Sequence, residues 1–254
     1  MDVFFTPRLK LERALKHVDE LNKISSPLSK ELYEIKALKK FDPQRPLAID
    51  WSLIYRPLKP LSETFGLIIG DAISNFRSAL DHLASGLARE IDPSQSPYFP
   101  MSTSRNGLEN HKYLPKLEST LPGSSELLLQ QIRPVQSPDE IYWSFHKLDN
   151  DNKHNIILPT VSAVTIDNIN VRFGGNTISN VGFSGDATKQ INMIRTGGAP
   201  MQINNLFSVI IDLTFPSDSL FPNMNVVETL INIGKVVEKT IDAFESLYRE
   251  KDQN

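Results

Sequence analysis

The residues able to do chemistry gather in two short windows of this chain. The first is Gly70-Asp71-Ala72-Ile73-Ser74-Asn75-Phe76-Arg77-Ser78-Ala79-Leu80-Asp81-His82. The second is Trp143-Ser144-Phe145-His146-Lys147-Leu148-Asp149-Asn150-Asp151-Asn152-Lys153-His154. Together they hold three of the five histidines. An imidazole titrates near neutrality, so a histidine beside carboxylates and cations is the usual instrument of proton transfer.

Helical periodicity sorts the first window into two faces. Ile69, Ala72, Ile73, Phe76, Leu80, Leu83 and Leu87 form an apolar side. Opposite them, within about 100° of arc, fall Asp71, Ser74, Asn75, Ser78, Asp81, His82 and Ser85. A solvated helix face is normally filled by lysine, glutamate or arginine, which are better helix formers than these small polar residues. This face is therefore expected to be covered, by another helix or by a twin protomer, with His82 near its middle. Arg77 and Asp81, four apart, suit a local ion pair.

In the second window Tyr142, His146, Asp149 and Lys153 share one stripe about 60° wide at helical spacing. Asp149 before Lys153 is the favourable order for an i,i+4 pair. His154 lies off the stripe, where the helix should end and its C-terminal dipole favours a cation. If the windows form one site, Asp81 or His82 should lie near Asp149, Lys153 or His154.

These positions resemble a widespread group of uncharacterised bacterial proteins that carry a Gly-Asp-x-Ile-x-Asn-x-Arg-Ser-Ala-Leu-Asp-His helix followed by Leu-Asp-x-x-x-Lys-His. The matching residues are Gly70, Asp71, Ile73, Asn75, Arg77, Ser78, Ala79, Leu80, Asp81 and His82, then Leu148, Asp149, Lys153 and His154. The resemblance implies no particular activity. Arg77 and His82 are also similar to the Arg-x4-His signature of HEPN-type helical ribonucleases, which act as dimers without metal. That likeness implies proton transfer by His82, stabilisation of phosphorane charge by Arg77 and positioning by Ser78. Two departures are evident. Residues five apart sit about 140° apart around a helix, and the strand-rich C-terminal half has no counterpart in the all-helical HEPN domain.

Three functions follow as expectations. One is a metal-independent, dimeric, RNA-cleaving protein using Arg77 and His82, assisted by Ser78, Asp81, His146, Asp149, Lys153 or His154. Another is a metal-dependent hydrolase in which Asp81, His82, His146, Asp149 and His154 hold a divalent ion, although no two histidines have the i,i+4 spacing of a helical zinc pair. The third is a non-catalytic binding or interaction module whose buried polar contacts lock the helices together. No nucleotide cofactor is expected. Gly174-Gly175 and Gly197-Gly198 read as turns without the Lys-Ser/Thr of a P-loop, and Gly182-Phe183-Ser184-Gly185 lacks the spacing of a nucleophile elbow.

Around these windows the pattern reads as α+β. Residues 8–40 look helical, interrupted near Ser25-Ser26-Pro27, where Ser26 suits a cap. One early strand is expected within Pro46–Pro57, and the first motif helix then runs from near Ser62 to before Pro93. A short helix should cover Ser124–Ile132, and Asp139 should cap the second motif helix. From Ile156 to about 216 the apolar residues alternate, as in Ile169, Val171 and Phe173, and again in Phe207, Val209, Ile211, Leu213 and Phe215. That period suggests an antiparallel meander of four or five strands, turning at Gly174-Gly175, Ser184-Gly185 and Gly197-Gly198. A long helix over about 224–250, capped by Asn223 or Asn225, closes the chain. The division expected is a helical region 1–155 carrying both motifs and a second part 156–254, packed as one unit.

The 254 residues carry a net charge of −3, which disfavours a generic nucleic-acid binder. Residues 1–60 nevertheless hold twelve Lys/Arg against eight Asp/Glu, a local excess of four (12 − 8). The absence of cysteine rules out disulfides and thiolate metal sites and fits a reducing cytoplasm. The N-terminus has no signal-peptide pattern, and no run is long enough to span a membrane.

Overall fold

The computed structural model describes residues 2–25, 32–42, 45–59, 63–136, 141–154, 161–204 and 207–253. The chain is α+β, and it divides into two compact units, each discontinuous in sequence. The first comprises residues 1–22, 64–159 and 217–254. The second comprises 23–63 and 160–216. The boundaries therefore differ from a single one at 155/156: the last helix belongs with the first unit, and the early strands belong with the second.

Three long helices frame the first unit: α1 (Phe5–Ser25), α2 (Thr64–Arg89) and α7 (Val226–Gln253). Each has an apolar face at three- and four-residue spacing, the pattern that lets a helix bury one side. In α2 that face is Ile69, Ala72, Ile73, Phe76, Leu80, Leu83 and Leu87, all fully buried. In α7 it is Val226, Leu230, Ile233, Val237, Ile241 and Phe244. Burying a large apolar side chain is worth roughly 1.5–3 kcal/mol. Asn225 caps α7, its Oδ1 accepting from the Glu228 N–H at 3.1 Å. Gly234 lets the helices approach: a Cβ there would stand 3.0 Å from Leu15 of α1 and 3.3 Å from the Phe76 ring of α2.

Shorter pieces complete this unit. They are α3 (Arg105–Glu109), α4 (Leu114–Thr120), α5 (Ser124–Glu126), a π-helical turn Leu127–Ile132, and α6 (Ile141–His154). The short helix read over Ser124–Ile132 is thus one α-turn continued as a π-turn, ended by Arg133 in a left-handed conformation. Ser62 and Asp139, expected near the starts of the motif helices, lie outside the described residues, as does Ser26.

In the second unit, β1 (Tyr33–Asp42), β2 (Arg45–Pro57) and β5 (Ile191–Gly197) make a three-stranded antiparallel sheet. The other sheet centres on β3 (Val161–Phe173). It pairs with β4 (Asn176–Asp186) along one edge, and with β6 (Met201–Asn204) and β7 (Ser208–Thr214) along the other. Leu53, Tyr55, Val164, Ile166, Ile169, Val171, Met193 and Met201 form their shared core.

Several local expectations need correction. Residues 33–42 form a strand, not the continuation of a helix, because Ile35 and Ala37 have a period-two partner in β2. There are accordingly two early strands. The five later strands do not form one meander, since β5 leaves to pair with β2. Ser184-Gly185 lies inside β4, opposite Val164 and Thr165 of β3, and makes no turn. Gly174-Gly175 does turn the chain, with both residues at positive φ between β3 and β4.

Candidate functional site

The polar side of α2 is organised at four-residue intervals. Arg77, Asp81, Ser85 and Arg89 follow one another along the helix, and each bonds to the main chain of residues 95–99. Arg77 Nη2 donates to the Phe99 carbonyl at 3.2 Å, and Asp81 Oδ1 accepts from the Phe99 N–H at 2.9 Å. Ser85 Oγ donates to the Pro97 carbonyl at 2.8 Å, and Arg89 Nε to the Gln95 carbonyl at 3.1 Å. An extended, proline-flanked segment cannot satisfy its own backbone groups. The helix supplies the partners, and Phe99 is thereby anchored against Phe244 of α7 with ring centroids 6.1 Å apart.

Arg77 and Asp81 form the expected ion pair at 2.7 Å, but inside the protein: Arg77 is only 5 % exposed. Burial pushes the Asp81 carboxyl above its ordinary range, against the pull of Arg77 and the Phe99 N–H. It likewise lowers the Arg77 guanidinium, opposed by Asp81, Asp149 and Tyr98. At neutral pH an arginine nevertheless stays charged.

Helix α6 packs against α2 where Gly70 leaves room; a Cβ there would fall 2.5 Å from Asn152 Oδ1. Asp149, 1 % exposed, accepts from Ser74 Oγ at 2.7 Å and from Lys153 Nζ at 2.6 Å. His146 sits one turn earlier. Asn150 Nδ2 lies 3.3 Å from its Nε2, an arrangement that leaves the ring proton on Nδ1. Its pKa is depressed to about 4, first by burial and then by Arg77, with Lys153 and Lys147 adding and Asp149 opposing. The ring is neutral at physiological pH. His146 Nδ1 and Arg77 Nη1 are both buried without a hydrogen-bond partner.

The expected site residues therefore separate. Arg77, Asp81, Asp149, Lys153 and His146 lie within electrostatic reach of one another at the α2–α6 contact. His82 does not join them. It is exposed, and Lys10 and Arg89, not the α6 groups, add to the burial that lowers its pKa, with Asp81 opposing. The covered face expected from the helical wheel does not extend to His82. Ser78 is half-buried. Tyr142 turns to α7, its hydroxyl 2.7 Å from Thr240 Oγ1, so it leaves the stripe it shares in sequence. The side chain of His154 lies outside the described residues. Cover for the polar face comes from α6 and from residues 95–99 of the same chain. Among the described residues no three His, Asp or Glu side chains are grouped to hold a metal ion, so the set Asp81, His82, His146 and Asp149 does not converge as ligands.

Sequence reasoning missed an aromatic and basic cluster of which Tyr98 and His111 lie within electrostatic reach of Arg77. Tyr98 and Tyr113 meet edge-on with centroids 6.4 Å apart, and His111 lies 5.6 Å from Tyr113. Lys112 Nζ stands 4.7 Å from the Tyr113 ring centroid. The interleaving of basic and aromatic residues in His111-Lys112-Tyr113 was the available signal. Its relation to Arg77 required the fold.

Comparison with protein-family models, with curated proteins and with solved structures gave no match for this chain. No helix among the described residues is long and apolar enough to cross a membrane.

Proposed function

We propose that this chain is a non-catalytic binding module whose two motif windows are an internal lock. The observation that carries this reading is the α2 stripe Arg77-Asp81-Ser85-Arg89, four side chains committed to the backbone of residues 95–99. A catalytic arginine and histidine must converge on one reacting atom. Here the arginine is buried and paired while His82 is exposed. The likeness to bacterial proteins sharing both motifs belongs to the same proposal, as a likeness in the lock. A cytoplasmic location belongs to it too, and cell fractionation tests it.

The test sets stability against activity. Asp149→Ala leaves Ser74 and the half-exposed Lys153 without their buried acceptor and should cost about 1–3 kcal/mol. His82→Ala, at an exposed position, should stay within about 0.5 kcal/mol. Purified protein should leave RNA intact with or without EDTA. RNA cleavage abolished by His82→Ala in a fully folded protein would overturn the reading.

A second reading has its own support. Arg77 Nη1 and His146 Nδ1 are both unpartnered N–H donors, and the neutral imidazole lies within reach of the Arg77 charge, which suits metal-independent RNA cleavage with His146 in place of His82. EDTA-resistant cleavage lost in His146→Gln and kept in His82→Ala would establish it.

A further inference from the structure

We propose that the outer edge of β4 is where two copies of this chain pair, β4 against β4 and antiparallel, joining their strand units into one wider sheet. Along its inner edge β4 is paired with β3, from Phe173↔Asn176 to Ala163↔Asp186. In an antiparallel pair, alternate residues turn their N–H and C=O groups away from the neighbouring strand. Among the described residues no strand takes up the groups that β4 turns outward. Such an edge is a template for another strand. This surface belongs to the strand unit and does not depend on the lock in the helical unit.

Charge singles out a second copy as the partner. β1, at the edge of the three-stranded sheet, carries Glu34, Lys36, Lys39, Lys40 and Asp42. Charges of this kind, lysine above all, keep an edge from pairing with its own copy. Residues 176–185 of β4 hold no charge and no proline, and Asp186 follows only at the last position. A strand without charge meets no like charge when it lies against itself. Asn180, in a left-handed conformation, interrupts the edge where the register with β3 shifts, and its N–H donates to Asn170 Oδ1 at 2.9 Å. The regular run beyond it, residues 181–186, is the segment on which a twin strand can lie.

The core leads to the same edge. Residues directly opposite each other on neighbouring strands share a face of the sheet. Ile166, Ile169 and Val171 of β3 are fully buried, and their partners on β4 are Phe183, Val181 and Ile178. Phe183 and Val181 are only half-buried, and Ile178 is 38 % exposed. The apolar face therefore continues across β4 and ends uncovered at its outer edge. A two-fold axis perpendicular to the sheet keeps the core faces of both copies on one side. It lays the row Val181 and Phe183 beside the same row of the twin, so that each copy covers what the other leaves open. A charged strand in that place would set ions against the row.

The experiment sediments the full chain at micromolar to millimolar concentration and follows amide exchange at both ends of that range. A concentration-dependent dimer is expected, with exchange slowed in β4 and unchanged in β1. Ser184→Lys and Ser184→Glu, at an exposed position, should each raise the dimer dissociation constant about ten-fold or more, because like charges then meet across the strand pair. An equimolar mixture of the two variants should restore association, a recovery that a fold defect would not give. Ile178→Asp, which puts a carboxylate in the apolar row, should weaken the dimer as well, and melting curves check that each variant is folded. A chain that stays monomeric throughout the range overturns the self-pairing and leaves the edge to an extended segment of a different protein. A dimer indifferent to all three substitutions, or one whose protection appears outside β4, overturns it by placing the interface elsewhere.

Discussion

Burial and pairing decide what each charged side chain of the two motifs does. Arg77 shares its hydrogen bonds between Asp81 and the Phe99 carbonyl. Arg77→Met should therefore strand a buried carboxylate and cost about 3–5 kcal/mol, and adding Asp81→Asn should recover much of that loss. Urea midpoints of the single and double variants check this; strict additivity would contradict it. His146 sets a pH dependence. Its folded pKa of about 4 lies below its ordinary 6.5, so the unfolded chain binds more protons between those values. The His146 contribution is intact above pH 6.5 and is lost progressively as the pH falls towards 4. Asp81, with its pKa raised, acts in the opposite direction, so His146→Gln is the control that isolates the histidine. The stability gap between wild type and His146→Gln should shift in favour of the variant from pH 7 to pH 4.5. The i,i+4 pairs Arg77–Asp81 and Asp149–Lys153 were legible in sequence because local spacing fixes them. The Phe99 backbone was not, since it lies 18 residues beyond Asp81 and only the fold returns it.

Elements show the same division between local and non-local information. The apolar faces of α2 and α7 follow from periodicity alone, and so does the Asn225 cap. The phase of β3 does not. Val164 and Ile166 are buried at even positions, yet Ile169 and Val171 are buried at odd ones. The switch occurs at Asn168, in a left-handed conformation where the register with β4 shifts. An extra residue in one strand turns the following side chains over to the other parity. Residues 33–37 were misread as helical because partnering with β2, not their own propensity, makes them a strand. At this scale the sharpest test is Gly234. Its missing Cβ is what lets α7 meet Leu15 and the buried Phe76 ring. An alanine normally gains about 1 kcal/mol over glycine inside a helix, but here overpacking should win. Gly234→Ala should destabilise by about 1–3 kcal/mol in denaturant titrations. A more stable variant would show that the three helices can yield.

At the scale of the whole molecule the chain builds its helical unit in three visits and its strand unit in two. Sequence composition located the change near residue 156 but could not show that α7 returns to the first unit, because which core an amphipathic helix joins is a non-local property. The consequence is an asymmetry in what the C-terminus supports. Val226, Leu230, Ile233, Val237, Ile241 and Phe244 are all fully buried in the helical unit. Arg8 of α1 reaches Asp242 and Glu245 of α7, and Tyr248 donates to Glu90 at the end of α2. The strand unit closes a core of its own, with the Tyr55 hydroxyl donating to the Ala187 carbonyl at 2.9 Å. A chain ended at Pro216 should therefore lose helical signal in circular dichroism and amide protection in α1, α2 and α6. Protection should persist in β2, β3 and β5, because six buried side chains have left the helical core while the strand core is built from residues 33–57 and 161–213. Simultaneous loss of protection in the strands would mean that the two units fold as one cooperative system, and the separate-core argument would fail.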